Sequence, residues 1–358
     1  MKKIYINGRF LTQKITGVQR YAIELVKALD VLLGNSNLAM SIILLVPVRA
    51  IYKLNFKNIS VQTVGRLTGH AWEQVELPFY TRDGLLVNLC NTGPIFKHNQ
   101  VVTIHDVSVY GFPMAYSLFF RCWYKVLFTF FSQFAKAVLT VSNFSKQELI
   151  KYCQMSAEKI YVSYEGKEQI QGITPDQSII MRHGLDKRPF ILAVSSLNPN
   201  KNFNAIVKAV ELISDDDFDI AIAGGGNSKV FSNVKVTSSA RVKYLGYVTD
   251  QELKALYEQA ACFVYPSFYE GFGLPPLEAM ACGCPVIVSS TSSLPEVCGN
   301  AALYCNPASP EDIASKISMI LMDRGLRQEL KAKGIANAQN FSWERCASDV
   351  IKMIERIY

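Results

Sequence analysis

Two doubly wound α/β domains are the fold that this chain predicts, and three observations carry that expectation. Short apolar runs alternate with segments of helical period along the chain. The alternation comes in two series, and a polar, turn-rich stretch at 166–189 lies between them. At 358 residues the chain is long enough for two domains of ordinary size, each with its own core. The predicted domains are residues 1–170 and 186–342, with the intervening stretch read as an interdomain connection.

In the first series, strands are expected at 4–6, 42–46, 85–89, 101–104, 138–141 and 160–162. A loop after the first strand leads to Gly17 and a helix whose apolar positions Val18, Tyr21, Ala22, Leu25, Val26 and Leu29 follow helical spacing, with Thr16 as its N-cap. That helix start should point at the carboxyl-end crevice of the sheet, where open α/β folds bind ligands. His105 ends a strand in Val-Val-Thr-Ile-His-Asp and is expected on the same rim, able to donate to a hydroxyl. Asp106 beside it is read as a holder of the imidazole, an acceptor contact or a turn cap. Aromatic residues interleave with Arg121 and Lys125 between 112 and 134, which suits either a membrane-interface helix or a core helix, on different faces if both. The apolar region 117–139 is broken by Arg121, Lys125 and Lys136 and falls short of the roughly 18 uncharged residues of a membrane span.

In the second series, strands are expected at 190–194, 220–223, 242–244, 262–264 and 286–288, with helices at 203–213 and 250–259. The stretch 265–283 has the most chemical content. A strand ends in a loop rich in turn residues. Pro275 and Pro276 then sit at a helix start, where a missing N–H costs nothing, and Gly283 sits where that helix stops. A helix N-terminus offers an anion free N–H groups and the positive end of its dipole. Glu270 in the loop and Glu278, placed in the first helical turn, bracket that position, and carboxylates suit the vicinal hydroxyls of a sugar or ribose. Gly271 and Gly273 permit close backbone approach there, with Phe272 and Leu274 beside them. Lys201 follows the first strand of this series just before a helix, where an ammonium can neutralise a diphosphate without a metal.

Composition narrows the class. Nine cysteines, an odd number with no Cys-x-x-Cys spacing and no histidines nearby, read as reduced, mostly buried thiols rather than a disulfide framework or zinc site. The start runs directly into a strand without the pattern of a signal peptide, so a cytoplasmic protein is expected. A net charge of +7 suits phosphorylated ligands or anionic lipid head groups, and no nucleic-acid partner is expected. Ala-Gly-Gly-Gly-Asn at 223–227 lacks the full dinucleotide fingerprint, which disfavours a nicotinamide enzyme. The acidic run Asp215, Asp216, Asp217 and Asp219 is read as solvated surface charge, not a metal motif.

Ordered motifs run through the chain: Thr-Gly-Val-Gln-Arg-Tyr (16–21), Asn-Thr-Gly-Pro (91–94), Thr-Ile-His-Asp (103–106), Thr-Val-Ser-Asn-Phe-Ser-Lys (140–146), Asn-Lys-Asn (200–202), Leu-Gly-Tyr-Val (245–248) and the glutamates 270 and 278. With them the sequence resembles the retaining GT-B glycosyltransferases with a paired-glutamate motif, a family that includes bacterial mannosyltransferases of surface polysaccharide and O-antigen synthesis. The resemblance implies two Rossmann-like domains facing a central cleft, the first acceptor-side and completed by the terminal helix 343–358. It implies donor phosphate contacts near Gly17, with Arg20 as a weaker candidate, and donor-site contacts at Gly225 and Val248. His105, Glu270 and Lys201 become the candidate catalytic set. Glu278 is expected to hold the nucleotide ribose. The expected substrates are a nucleotide sugar, with no metal or other cofactor, and a lipid-linked saccharide acceptor reached by peripheral contact with the inner face of the membrane. Ser195 and Asn200 stand where the family often has arginines, leaving Lys201 as the main candidate cation.

Two rivals stand beside this expectation. A nucleotide-sugar epimerase of the same fold would need acid and base residues from His70, His98, His105, His183 and Glu73. A non-catalytic sugar-nucleotide-binding subunit would accommodate the absent arginines.

Overall fold

The computed structural model describes residues 2–35, 39–194, 198–214, 217–224 and 241–358. They form two compact units, Met1–Gly166 with Ser342–Tyr358, and Lys167–Phe341.

The first unit holds a seven-stranded parallel sheet: β1 (Lys2–Asn7), β2 (Met40–Val46), β3 (Ser60–Thr63), β4 (Leu85–Asn88), β5 (Gln100–Thr103), β6 (Ala137–Thr140) and β7 (Ile160–Val162), in the order β3-β2-β1-β4-β5-β6-β7. The reversal at β1 places the loops after β1, β4 and β5 side by side, the position at which doubly wound sheets bind ligands. β4, β5 and β6 are buried along their whole length, which is why they read as continuous apolar runs. β3 was not expected: its four residues, Ser-Val-Gln-Thr, are all exposed on the sheet edge and carry no apolar run. The Trp343–Ile357 helix buries Trp343, Cys346, Ala347, Val350, Ile351 and Ile354 and packs on the Gly17–Gly34 helix, with the Trp343 and Tyr21 rings 5.8 Å apart.

The second unit holds a six-stranded parallel sheet: β8 (Phe190–Val194), β9 (Asp219–Ala223), β10 (Val242–Gly246), β11 (Cys262–Tyr265), β12 (Val286–Ser289) and β13 (Ala302–Cys305), in the order β10-β9-β8-β11-β12-β13. Its core joins Ile191, Ile220, Val264 and Ile287 to Ile206 and Ile317 of the flanking helices. β13, Ala-Leu-Tyr-Cys, is half-buried and too short to stand out in the sequence.

Two expectations need correction here. The 166–189 stretch is not a bare connection. It contains helices Glu168–Gln171 and Ser178–Arg182, and its Ile170, Ile179, Ile180 and Leu185 are buried in the second unit. Asp219 is not solvated: as the first residue of β9 it is 1% exposed, and its carboxylate lies 3.1 Å from Arg188 Nη2. Asp217 is exposed, while Asp215 and Asp216 fall outside the described residues.

The aromatic segment ends in helix Leu118–Phe134, which buries Leu127, Phe128 and Phe131 and leaves Leu118, Phe119, Cys122 and Val126 exposed. One face of this helix is thus a core face, and the other is an exposed apolar face. Among the described residues no helix is long and apolar enough to cross a membrane. All nine cysteines are free and six are buried. Burial pushes the thiols of Cys262, Cys298 and Cys346 up to about 12, so they stay protonated and pack as apolar groups.

Candidate functional site

The chemistry of the second unit gathers where β11 ends. Tyr265 closes the strand, the 266–273 loop follows, and helix Leu274–Ala281 begins after Gly273. Gly273 has φ 114°, in the region open to glycine, and a Cβ there would come within 2.7 Å of Leu294. Both prolines lie in the first turn of the helix, as expected. They contribute no N–H, so the backbone donors left at this terminus are those of Gly273 and Leu274.

Glu270 is 9% exposed and is held from several sides. Lys201 Nζ donates to its two carboxylate oxygens at 2.7 and 2.8 Å and to Tyr265 Oη at 2.7 Å. Ser267 Oγ donates to the same carboxylate. The Glu270 N–H donates to Ser292 Oγ at 3.1 Å, and Ser293 Oγ donates to the carbonyls of Glu270 and Phe272 at 3.0 and 2.7 Å. Phe272 is buried with its ring edge-on to Phe341, centroids 5.7 Å apart. Burial, then the Glu270 charge, raise the Tyr265 phenol well above its ordinary pKa, so it stays a neutral hydroxyl beside the ion pair. Lys201 and Glu270 are 69 residues apart in sequence, and the fold joins them into one charged unit.

Asn200, standing where the resembled family often has an arginine, is a structural residue. It is buried, its Nδ2 donates to the Tyr269 carbonyl at 3.0 Å, and its own carbonyl accepts from Ser267 Oγ and the Phe268 N–H. It therefore fixes the loop that carries Glu270. Ser195 lies outside the described residues, and so does Gly225.

Glu278 corrects a detail of the sequence reading. It is the fifth residue of its helix, beyond the first turn, which holds no acidic residue. It is 8% exposed and accepts from Gln169 Nε2 at 2.8 Å. Val248 lies half-buried in the turn between β10 and helix Asp250–Gln259, next to Tyr247, which is 85% exposed.

The remaining candidates belong to the first unit. His105 follows β5 and is 5% exposed. Its Nε2–H donates to the Leu89 carbonyl at 3.0 Å, Nδ1 lies 3.6 Å from Glu165 Oε1, and its ring meets Tyr21 edge-on at 4.6 Å. Both ring nitrogens thus have partners inside the unit. Asp106 caps the next turn, its Oδ1 accepting from the Ser108 N–H at 2.7 Å. Gly17 opens the Gly17–Gly34 helix on the surface, and a Cβ there would touch nothing within 4 Å. Packing therefore does not demand glycine at this position. Thr16 is the N-cap, its N–H donating to Gln19 Oε1 at 3.2 Å. Arg20 lies 3.8 Å from the buried Glu24, one turn further along the same helix.

Sequence reasoning missed Tyr265, Ser267, Ser292, Ser293, Gln169 and Glu165. Tyr265 and Ser267 lie within the stretch singled out, but nothing in their spacing marks them as partners of Lys201 and Glu270. Among the described residues no group of three or more His, Cys, Asp or Glu side chains is placed to hold a metal ion.

Two parallel Rossmann-like sheets in one chain are the framework of the GT-B glycosyltransferases. The sequence model described as Glycosyl transferases group 1 matches residues 176–337. The O-antigen chain mannosyltransferase B of Escherichia coli is 34% identical over 267 residues, covering 70% of this chain and 68% of that protein. The O-antigen chain mannosyltransferase RfbU of Salmonella typhimurium is 32% identical over 234 residues, covering 64% of this chain and 63% of that protein. Among solved structures, sucrose-phosphate synthase from Thermosynechococcus elongatus superposes with a TM-score of 0.77 at 18% identity, over 99% of both chains. Anabaena HepE in complex with UDP-glucose superposes with a TM-score of 0.76 at 17% identity, over 99% of this chain and 100% of that one. The chain belongs to the group 1 glycosyl transferases, and it is a glycosyltransferase of GT-B fold.

Proposed function

We propose that this glycosyltransferase moves a hexose, mannose in the first instance, from a nucleoside diphosphate sugar to a hydroxyl of a lipid-linked saccharide in O-antigen synthesis. The observation that carries the reading is the Lys201–Glu270 clamp in the loop that leads into helix Leu274–Ala281. The sugar and pathway rest on the two O-antigen mannosyltransferases to which the chain is similar. Lys201, with the Gly273 and Leu274 N–H groups and the helix dipole, stabilises the departing diphosphate without a metal. Glu270 holds that ammonium in place and orients the sugar, and Glu278 holds the ribose hydroxyls in place of Gln169. His105, after β5, and Gly17, at the start of the Gly17–Gly34 helix, contribute to sugar and phosphate recognition in this reading. The bond from C1 to the phosphate oxygen breaks and the acceptor oxygen bonds C1 on the same face. The acceptor proton passes to the leaving phosphate oxygen. Configuration is retained by electrostatic preorganisation rather than by a protein nucleophile.

The test is thermal stability with GDP, UDP, TDP and ADP at equal concentration. A nucleotide that binds the native state at a hundredfold excess over Kd stabilises it by about 2.7 kcal/mol, and one of the four should raise Tm accordingly. The shift should vanish in Glu278→Ala. If no nucleotide raises Tm, the donor-site assignment falls. Nucleoside diphosphate released only in the presence of acceptor then separates transfer from epimerisation and from simple binding.

The same reading places the protein on the inner face of the cytoplasmic membrane, where a lipid-linked acceptor is met. Met114, Leu118 and Phe119 support this, being 83%, 71% and 85% exposed next to Arg121 and Lys125. Apolar side chains flanked by cations suit an anionic bilayer surface. Co-sedimentation with phosphatidylethanolamine–phosphatidylglycerol vesicles should fall several-fold in Phe119→Glu. Undiminished binding would place the contact elsewhere.

A further inference from the structure

The first unit contains a buried polar network that the proposed mechanism does not use. Glu73 is its centre, 1% exposed. Its Oε1 accepts from Asn7 Nδ2 at 2.8 Å, Arg9 Nε at 3.0 Å and Thr92 Oγ1 at 3.0 Å, and Arg9 Nη2 donates to Thr92 Oγ1 at 2.7 Å. Asn7 continues through Asn88 to Gln100 at 2.9 Å per step. Glu73 Oε2 pairs with His70 Nδ1 at 3.2 Å. Burial opposes the charge on Glu73, but the donors from His70, Arg9 and Asn7 outweigh it and hold the carboxyl below the ordinary glutamate pKa.

Four features set this network apart from routine packing. Asn7, Asn88 and Thr92 sit at the carboxyl ends of β1 and β4 or in the loop after β4, on the rim where open α/β sheets bind ligands. Asn91, next to Thr92, accepts the His105 N–H at 2.7 Å, so the network is continuous with the His105 loop. Glu73 lies in a π-helical turn, Trp72–Glu76, a rare conformation that is frequent at functional sites. Finally, a buried ion pair is seldom the most stable filling for a core, so its presence points to a use.

Of these groups His70 alone reaches solvent, its side chain 50% exposed. Its backbone is anchored by its neighbours. Trp72 Nε1 donates to the Val64 carbonyl at 2.9 Å, Gln74 Nε2 donates to the Gly93 carbonyl at 2.8 Å, and Glu76 accepts from the Arg66 and Leu67 N–H groups. A carboxylate only accepts, so His70 Nδ1 carries the proton toward Glu73. In the neutral ring Nε2 then keeps a lone pair, on a side chain that is half exposed. The half-buried Trp123 ring stands edge-on at 6.1 Å.

We propose that His70, oriented by Glu73, accepts a hydrogen bond from a hydroxyl of the acceptor saccharide and is a specificity-determining residue of the acceptor site. The inference rests on the glycosyltransferase reading and adds the residue that selects the sugar receiving the transfer.

The experiment uses the full chain and an alkyl-linked α-mannobioside as acceptor probe. In His70→Ala the KM for the probe should rise about tenfold, the equivalent of one hydrogen bond, with kcat changed far less. His70→Gln, whose amide oxygen can occupy the Nε2 position and accept in its place, should recover most of the loss. Saturation-transfer NMR gives a readout independent of turnover, and transfer to the probe should be strong on the wild-type protein and weak on His70→Ala. A wild-type KM in His70→Ala, a loss confined to kcat, or saturation transfer absent from wild type or undiminished in the variant overturns the inference. Failure of the glycosyltransferase reading would look different: a wild-type protein that transfers no sugar to any acceptor.

Discussion

Glu270→Ala should lower kcat by about 10²–10³-fold, the scale of removing one preorganised group that acts on the transition state. The carboxylate takes the Lys201 ammonium on both oxygens and the Ser267 hydroxyl. Without it, Lys201 keeps only the Tyr265 hydroxyl among those partners and is free to leave the position at which the diphosphate develops charge. The fold should survive, because Lys201 is 22% exposed and water can solvate it when its partner is lost. Glu270→Gln keeps an acceptor for Ser267 but loses the charge, and should fall between wild type and the alanine variant. The check is steady-state turnover beside far-ultraviolet circular dichroism. Near-normal kcat in a folded Glu270→Ala protein would remove Glu270 from the site.

Glu73→Ala should be the most destabilising of the substitutions considered, by about 3–5 kcal/mol, because it strands the Arg9 guanidinium in a buried setting. For a unit of this size that is a fall in Tm of roughly 10 °C. Replacing both partners by apolar residues, Arg9→Met with Glu73→Leu, should cost much less, since no buried charge is left unpaired. The pH dependence has a definite sign. The folded-state pKa of Glu73 is lowered, so its contribution is present above the ordinary glutamate value of about 4.3 and is lost as pH falls through the lowered one. The Tm gap between wild type and Glu73→Gln should therefore be widest near neutral pH and close in acid. A gap that widens on acidification would show that Glu73 is not held as a carboxylate.

Much of this architecture could be read from residue order because its causes are local. A strand buried on both faces must be apolar along its length, and β5, β6, β8 and β11 all announce themselves in that way. Turn and cap chemistry is equally local: Thr249 and Glu252 form a capping box at the start of helix Asp250–Gln259, whose ends match the expected ones. The 265–283 stretch stood out for the same reason, since prolines and glycines mark where a helix starts and stops.

What could not be read was anything made by bringing distant residues together. Exposed β3 and half-buried β13 carry no strong apolar run, so their pairing with β2 and β12 supplies what their own residues do not signal. Asp219 looked solvated in its acidic run until the sheet buried it against Arg188. Lys201 and Glu270 were each nominated separately, but their ion pair and the Tyr265 hydroxyl beside it depend on β8 and β11 lying next to each other. The Arg9–Glu73–His70 network likewise exists because β1 neighbours β4, which brings Asn7 to Asn88. Residue type and spacing act over a few residues, so they settle elements and caps. Burial and partnership act through contacts between residues far apart in the chain, and those exist once the sheets have assembled.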